Sequence, residues 1–497
     1  MPEMRRELAA TDCGGSPATR STPSSASYRP LLRRRGAAAA VVATAMLLAA
    51  AAGCEQRGGV HKLDPTKLAA TCPSHDDAEL PPAAPTGDTG RGLWVDIESR
   101  GGACADDRAR ADVTKAAPWC TLGPAGTRAR PGDIVHVRGG TYSTATKCDT
   151  CKANAVLQVT VGGRPDAWIS YRAMRGETVR IVPTGGTKQG ISIRQPVENG
   201  MRPRFIEVSG FTVRDAEKNC VEVKDTADVI VRDLELSGCG SGALELHRTA
   251  RVTVEANRIH DNRLAGWTSA LDLFLCGPGH VVRGNRIWSN RDADERRSEG
   301  HGITMDFCKQ CGGALIENNL IWDNDGWCMA IFVSDGATVR NNTCWRNGRK
   351  LDGSGEISLL GSRHSAHNNI MVPSAGAPAL LVRDRNDDWA SDWTTLAIDA
   401  NLMWSPEHAD LVRWYGKTRN VDGYRSENPR GWGTAALGVN PRLVDPAGAD
   451  FRPTAGSPVI DSGDTEHAAA IDIDGRARPR DGTGDERAVV DRGAHEQ

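Results

Sequence analysis

The chain has 497 residues, a length that suits two or three ordinary domains or one continuous repeat array. Its formal net charge of −2 offers no basic field for nucleic acid, so that class of partner is set aside. Aromatic residues make up only 5% and glycine is abundant at 54, a composition suited to turn-rich β structure.

Residues 1–28 are rich in Ser, Thr and Pro and read as a lead-in. From Tyr28 to Cys54 the chain runs YRPLLRRRGAAAAVVATAMLLAAAAGC, a basic stretch, an apolar run and small residues before a cysteine. That is the layout of a bacterial secretion signal, expected over 1–53 and removed on export. Ala51-Ala52-Gly53-Cys54 resembles a lipoprotein box, with Ala51 where the box usually has Leu, and the resemblance implies a lipid on Cys54. The chain is then exported to a bacterial outer membrane or cell surface, touching membrane only through that anchor. The alternatives are a signal peptide without lipid, giving a secreted protein, or a short membrane anchor. The polar, Pro-rich residues 54–91 read as a tether.

Setting Cys13 and Cys54 aside leaves twelve cysteines, an even number in a chain bound for an oxidising compartment. Disulfides are expected between Cys104 and Cys120, Cys148 and Cys151, Cys220 and Cys239, and Cys328 and Cys344, with Cys276, Cys308 and Cys311 on neighbouring coils. The two CxxC pairs in KCDTCK and CKQC leave a four-thiolate zinc site as the alternative.

The phrase IVHVRGG after Pro131-Gly132-Asp133 reads as the strand that opens the fold. From Val208 to Met403 one phrase then recurs every 23 to 34 residues: IEVSGFTV, VIVRDLEL, VTVEANRI, HVVRGNRI, ALIENNLI, ATVRNNTC, HSAHNNIM and LAIDANLM. A period above twenty with apolar residues at fixed offsets signals a stacked solenoid, and short β-branched strands make its unit a β-coil. Asn257, Asn285, Asn319, Asn342, Asn369 and Asn401 form a column at one tight corner, where Asn tolerates left-handed backbone and stacked amides hydrogen-bond.

With the entry phrases GLWV, PWCTL and PGDIVHVRGGTY, these Asn-laddered coils resemble the pectate-lyase-like right-handed parallel β-helix superfamily, and within it secreted proteins similar to family 9 polysaccharide lyases. The closing VNPRLVDPAGADFRPTAGSPVIDSGD, IDIDGRARPRDG and VVDRGAHEQ resemble the choice-of-anchor Q cap. The resemblance implies an all-β, right-handed parallel β-helix of about ten coils over 92–440, a cap over 441–497, and a monomer that acts on extracellular polysaccharide.

Counting back from the Asn column places Glu222, Glu245, Asp272 and Asp306 in one outward file, beside a corner that accepts inserts such as RLAGWTS and RDADERRSEG. Like charges at strand spacing need a cation, a basic neighbour or a proton. Three readings follow. The file is a solvated strand face; or Glu245, Asp272 and Asp306 hold Ca²⁺ while Lys224 or His247 removes a proton beside a uronate carboxylate, in a β-elimination; or Asp272 and Asp306 are the acid and base of a glycoside hydrolase. In the second reading Asp306 is also a catalytic candidate, Glu222, Trp267 and His301 contact substrate, and Asp292, Asp294 and Glu295 are alternative ligands. Family 9 lyases hold calcium with a compact Asp cluster and use a Lys base; no such cluster stands on a strand here, and Lys309 is the Lys close after Asp306. A surface β-helix that binds glycans without catalysis is the rival from another class. Trp288, Trp322 and Trp345 follow the Asn corner at one offset, which fits a structural aromatic stack as well as a sugar platform.

Overall fold

The structure is a computed structural model that describes residues 90–148, 151, 154–194, 202–293, 300–309, 313–350, 353–386, 389–427 and 430–497. The signal segment, Cys54, Asp294, Glu295 and Cys311 lie outside these residues. Among the described residues no helix is long and apolar enough to cross a membrane.

Each repeat supplies three short strands, and strands from successive repeats pair in parallel. Three long sheets result: sheet I with eleven strands from Arg91–Val95 to Ala397–Asp399, sheet II with eleven from Ala155–Val159 to Lys417–Arg419, and sheet III with ten from Gly140–Tyr142 to Leu402–Met403. Ten strands in sheet III match the expected number of coils. The stack starts one strand earlier than IVHVRGG, because Arg91–Val95 already pairs in parallel with Asp133–Val137. Behind that end lies the short helix Gly123–Arg128, whose Gly126 passes so close to the Gln158 carbonyl that a Cβ there would clash.

Strand alternation sends every second residue inward. Val208, Val231, Val254, Val282, Ile316, Val339, Ala366 and Ile398 form one interior file of sheet I, in the register their spacing implied. Val213, Leu236, Ile259, Ile287, Ile321, Cys344, Met371 and Met403 form its counterpart in sheet III. All are essentially inaccessible and belong to one continuous core. The four expected disulfides form, and Cys276 pairs with Cys308 on the next coil. Cys148, Cys151 and Cys308 are therefore unable to serve as zinc thiolates, and that alternative is excluded.

The Asn column is a hydrogen-bonded ladder, with one correction. The left-handed residues are those just before it, Ala256, Gly284, Asn318, Asn341, Asn368 and Ala400, and not the column itself. From Asn285 on, each column Asn instead accepts, on its Oδ1, the backbone N–H and the side-chain amide of the Asn one coil earlier, as Asn319 does from Asn285 at 3.0 Å each, while Asn257 accepts the Leu234 N–H. Its own Nδ2 donates back to a strand carbonyl, Val282 in the case of Asn319, at 3.0 Å. A second ladder five positions on was not foreseen: Asn262, Asn290, Asn324 and Asn347 repeat the pattern and end on the buried carboxyl of Glu356.

The closing segment is a strap along the flank as well as an end piece. Phe451, Val459, Ile460 and Ala494 pack on Leu320, Ile370, Val372 and Leu402 of sheet III. The left-handed asparagines face outward and hold it: Asn318 donates to the Ile471 carbonyl, Asn341 to that of Asp491 and Asn368 to that of Asp464.

Truncating Asn319 to Ala strands the buried Asn285 amides. Chemical denaturation of Asn319→Ala is expected to show a loss of at least about 2 kcal/mol, since each unsatisfied buried donor costs about 1–3 kcal/mol.

Candidate functional site

Sheet II carries the expected acids, and the register places them differently from the count. Glu222 pairs with Glu245 and Glu245 with Asp272, as expected. Asp272, however, pairs with Thr304, while Asp306 stands opposite Phe274, two residues along. The cause is the corner after Asp306, which is two residues longer than the one after Phe274, so counting back across it overshoots. The outward file is therefore Ser192, Glu222, Glu245, Asp272 and Thr304, and beside it runs a second: Arg194, Lys224, His247, Phe274 and Asp306.

The acids are not a solvated face either, because Glu222, Glu245 and Asp272 are buried. Each carboxylate is turned onto the adjacent corner or strand. Glu222 accepts from the Ser192 hydroxyl at 3.1 Å and faces the Arg194 guanidinium at 3.4 Å. Glu245 accepts from the Asn219 amide and stands 3.6 Å from His247 Nδ1. Asp272 accepts from the Ser269 backbone N–H at 2.8 Å.

Burial governs the protonation of this cluster. It pushes Asp272 up to about 7; the Ser269 N–H works against that and the Glu245 charge adds to it. Burial alone would raise Glu245 too, but His247 and the Asn219 amide hold it below the usual carboxylate range. Burial takes His247 down to about 4 despite Glu245, so its imidazole is neutral at pH 7. At pH 7 Glu245 thus stays ionised, while Asp272 holds its proton far more readily than an ordinary aspartate.

Glu245, Asp272 and Asp306 do not fit a calcium site. Asp306 pairs with Phe274 in the adjacent file, out of line with the other two, and the three are absent from the carboxylate and imidazole sets that converge within 4.8 Å among the described residues. The same offset separates Asp272 from Asp306 as an acid–base pair. His301 is a wall residue: its buried Nδ1 accepts from the Trp327 N–H at 2.9 Å, and burial lowers it to about 3. A side chain on Gly326 would collide with that ring. Asp292 is buried at the corner, where its N–H donates to Asp325. Lys309 pairs with Asp335 at 3.2 Å. Trp267 is 39% exposed on the insert-bearing loop.

That stack consists of His260, Trp288 and Trp322, with rings 4.2 and 4.9 Å apart and nearly parallel, and with Trp322 and Trp345 against Phe451 of the strap. Rings stacked on one another along the coil axis present edges outward, so this column is structural and not a sugar platform.

Lys224 differs from all of these. It is partly buried, and among the described residues it makes no hydrogen bond or ion pair. Burial lowers its pKa below the ordinary lysine value; Glu222 and Glu245 oppose this, and Arg194 and Arg248 reinforce it. Arg248, on a left-handed corner, is held by Asp225 at 3.0 Å and lies 3.3 Å from His247 Nε2. Arg194 and Arg248 were missed in the sequence. Arg194 was discoverable, since it follows Ser192 with the same outward parity that brought Lys224 to notice; Arg248 was not, because it lies beyond the strand.

With this geometry in view, the chain compares with known proteins as follows. A family model described as "Right handed beta helix region" matches residues 190–370. The fold is an all-β, right-handed parallel β-helix. Similar solved structures include pectate lyase Pel9A, at 14% identity and TM-score 0.49 over 82% of this chain and 98% of that one. An alginate lyase from Paenibacillus sp. str. FPU-7 has 15% identity and TM-score 0.35 over 57% and 84%. XylC in complex with xylose has 11% and 0.42 over 67% and 73%. Likeness at these levels concerns the fold. A search of curated proteins gave no match.

A carboxyl with a raised pKa in the folded state stabilises below its unfolded value, near 3.8 for Asp272, and loses that contribution as pH rises through about 7. Asp272→Asn keeps an oxygen for Ser269 and cannot ionise. Its thermal stability relative to the parent is expected to improve steadily from pH 4 to pH 7 and to level off above, as read by calorimetry.

Proposed function

We propose that the chain is an exported β-helix protein that acts on an acidic extracellular polysaccharide at the Lys224 face of sheet II, by β-elimination beside a uronate carboxylate. The observation that carries this reading is Lys224 itself. An amine that is partly desolvated, without a fixed partner and lowered in pKa is better suited to taking a proton than an ordinary lysine. Arg194 and Arg248 flank it, with charges suited to a uronate carboxylate and to the enolate-like charge that develops on it.

Lys224 Nζ takes the C5 proton, the C5–H electron pair becomes the C4–C5 double bond, the C4–O bond breaks with its pair on the glycosidic oxygen, and that oxygen takes a proton from water, to which the Lys224 ammonium later returns its own. Glu245 and neutral His247 are buried positioning residues: the Glu245 charge acts on the amine, and His247 pairs in register with Lys224. No protein-held calcium enters the step, since the expected ligands do not converge. The reading also keeps Cys54 as the lipid-bearing residue and the chain as a cell-surface monomer.

Lys224→Met is expected to abolish the ultraviolet absorbance of unsaturated product on pectate, alginate or a related uronate polymer, assayed with and without calcium, while leaving the far-UV spectrum unchanged. Arg194→Gln should raise KM more than it lowers kcat. In the parent, the rising limb of the pH–rate profile is expected below the ordinary lysine value of 10.5. Unsaturated product from no uronate polymer, together with retained glycan binding in Lys224→Met, would establish a binding protein instead. Incorporation of labelled fatty acid by the full chain in a bacterial host, lost in Cys54→Ser, checks the anchor.

A further inference from the structure

Where the strap crosses sheet I, the chain brings together three groups that no part of the sheet II chemistry uses. His367 ends the strand Ser365–His367, and Asp464 and His467 lie on the strap. The Asp464 backbone is clamped to the neighbouring left-handed Asn368, whose Nδ2 donates to the Asp464 carbonyl at 2.8 Å and whose Oδ1 accepts the Asp464 N–H at 2.7 Å. Asp464 Oδ2 then stands 2.7 Å from His467 Nδ1 and 3.6 Å from His367 Nδ1. The two imidazoles stack nearly parallel, with centroids 4.2 Å apart. One ligand atom from each residue falls within 4.8 Å of the others.

A second observation sets this cluster apart from an ordinary ion pair. His367 is only 5% exposed, yet neither of its ring nitrogens makes a close hydrogen bond: Asp464 Oδ2 stands 3.6 Å from Nδ1, and the Ala397 backbone is the other neighbouring acceptor. A buried imidazole left so is costly unless something else satisfies it. Tetrahedral ligands on bonds of about 2.1 Å stand about 3.4 Å apart; the Asp464–His367 separation of 3.6 Å is close to that, and Asp464 and His467, hydrogen-bonded at 2.7 Å, would part slightly to admit an ion. Two imidazoles and one carboxylate favour zinc-class ions over calcium or magnesium, which prefer all-oxygen shells.

We propose that His367, Asp464 and His467 bind a divalent transition metal of the zinc class, which fastens the strap to the coiled wall. The set leaves a fourth position for water, and the exposed His467 is the ligand through which the ion enters.

The test uses the full chain after chelator treatment. Titration with Co²⁺ is expected to give a saturable visible absorption at one equivalent, and Zn²⁺, but not Ca²⁺ or Mg²⁺, should raise the melting temperature. His467→Ala changes an exposed side chain, so it should fold and melt like the chelated parent while losing both responses. His367→Gln should lose them as well. Absence of a saturable Co²⁺ signal in the parent, or a signal of unchanged strength in His467→Ala, would overturn the proposal. Neither result bears on Lys224.

Discussion

The fold depends on what happens to backbone amides at corners. A coil that turns sharply inside a stack hides N–H groups where water cannot reach them, and each must find an acceptor. Here the acceptor is the amide oxygen of an Asn one coil further on, twice per coil, so the corner of each layer is completed by the next. Residues in left-handed conformation just ahead of the ladder positions make the turn, and the interior files of Val, Ile and Leu then stack without a break. The array is cooperative for this reason: a coil alone would carry both an exposed apolar face and unsatisfied corners.

The same requirement explains the sheet II face. Glu245 and Asp272 are acids on a strand, but the groups that need acceptors are near, so Asn219 and the Ser269 N–H take them. Carboxylates used in this way are buried, and burial separates their protonation states. Lys224, in a file one step along from the acids, carries no such obligation among the described residues. The strap uses outward-facing asparagines to tie the chain's end to three successive coils, and it delivers Asp464 and His467 to His367.

Much of this was legible before the structure. The interior files of sheets I and III lie in the register that the recurring phrase implied, because their legs contain no inserts. Four disulfides followed from close spacing and an even count. The site was legible only up to Asp272. Beyond it a longer corner moved Asp306 by two residues, and two residues preserve the inside–outside parity of a strand, so nothing in the pattern signalled the slip. The second ladder went unnoticed since Asn262, Asn290, Asn324 and Asn347 stand among polar turn residues, where an Asn needs no special explanation. Burial of Glu222, Glu245, Asp272 and His301 was likewise hidden, as outward parity tells which side of a sheet a residue occupies and not what covers it.

The sequence by itself determined the architecture: a period of one coil, alternation of apolar residues within each strand, and a repeated Asn together admit few structures other than stacked β-coils. It also settled which residues face in, since that depends on the two-residue repeat of the strand alone. Only the tertiary structure decided which outward residues become neighbours. That depends on the lengths of corners between coils and on the route of the strap, both set by hydrogen bonds across tens to more than a hundred residues. Local pattern carries no record of such contacts, and for that reason the pairing of Asp272 with Thr304, the isolation of Lys224 and the meeting of His367 with Asp464 emerge from the folded chain.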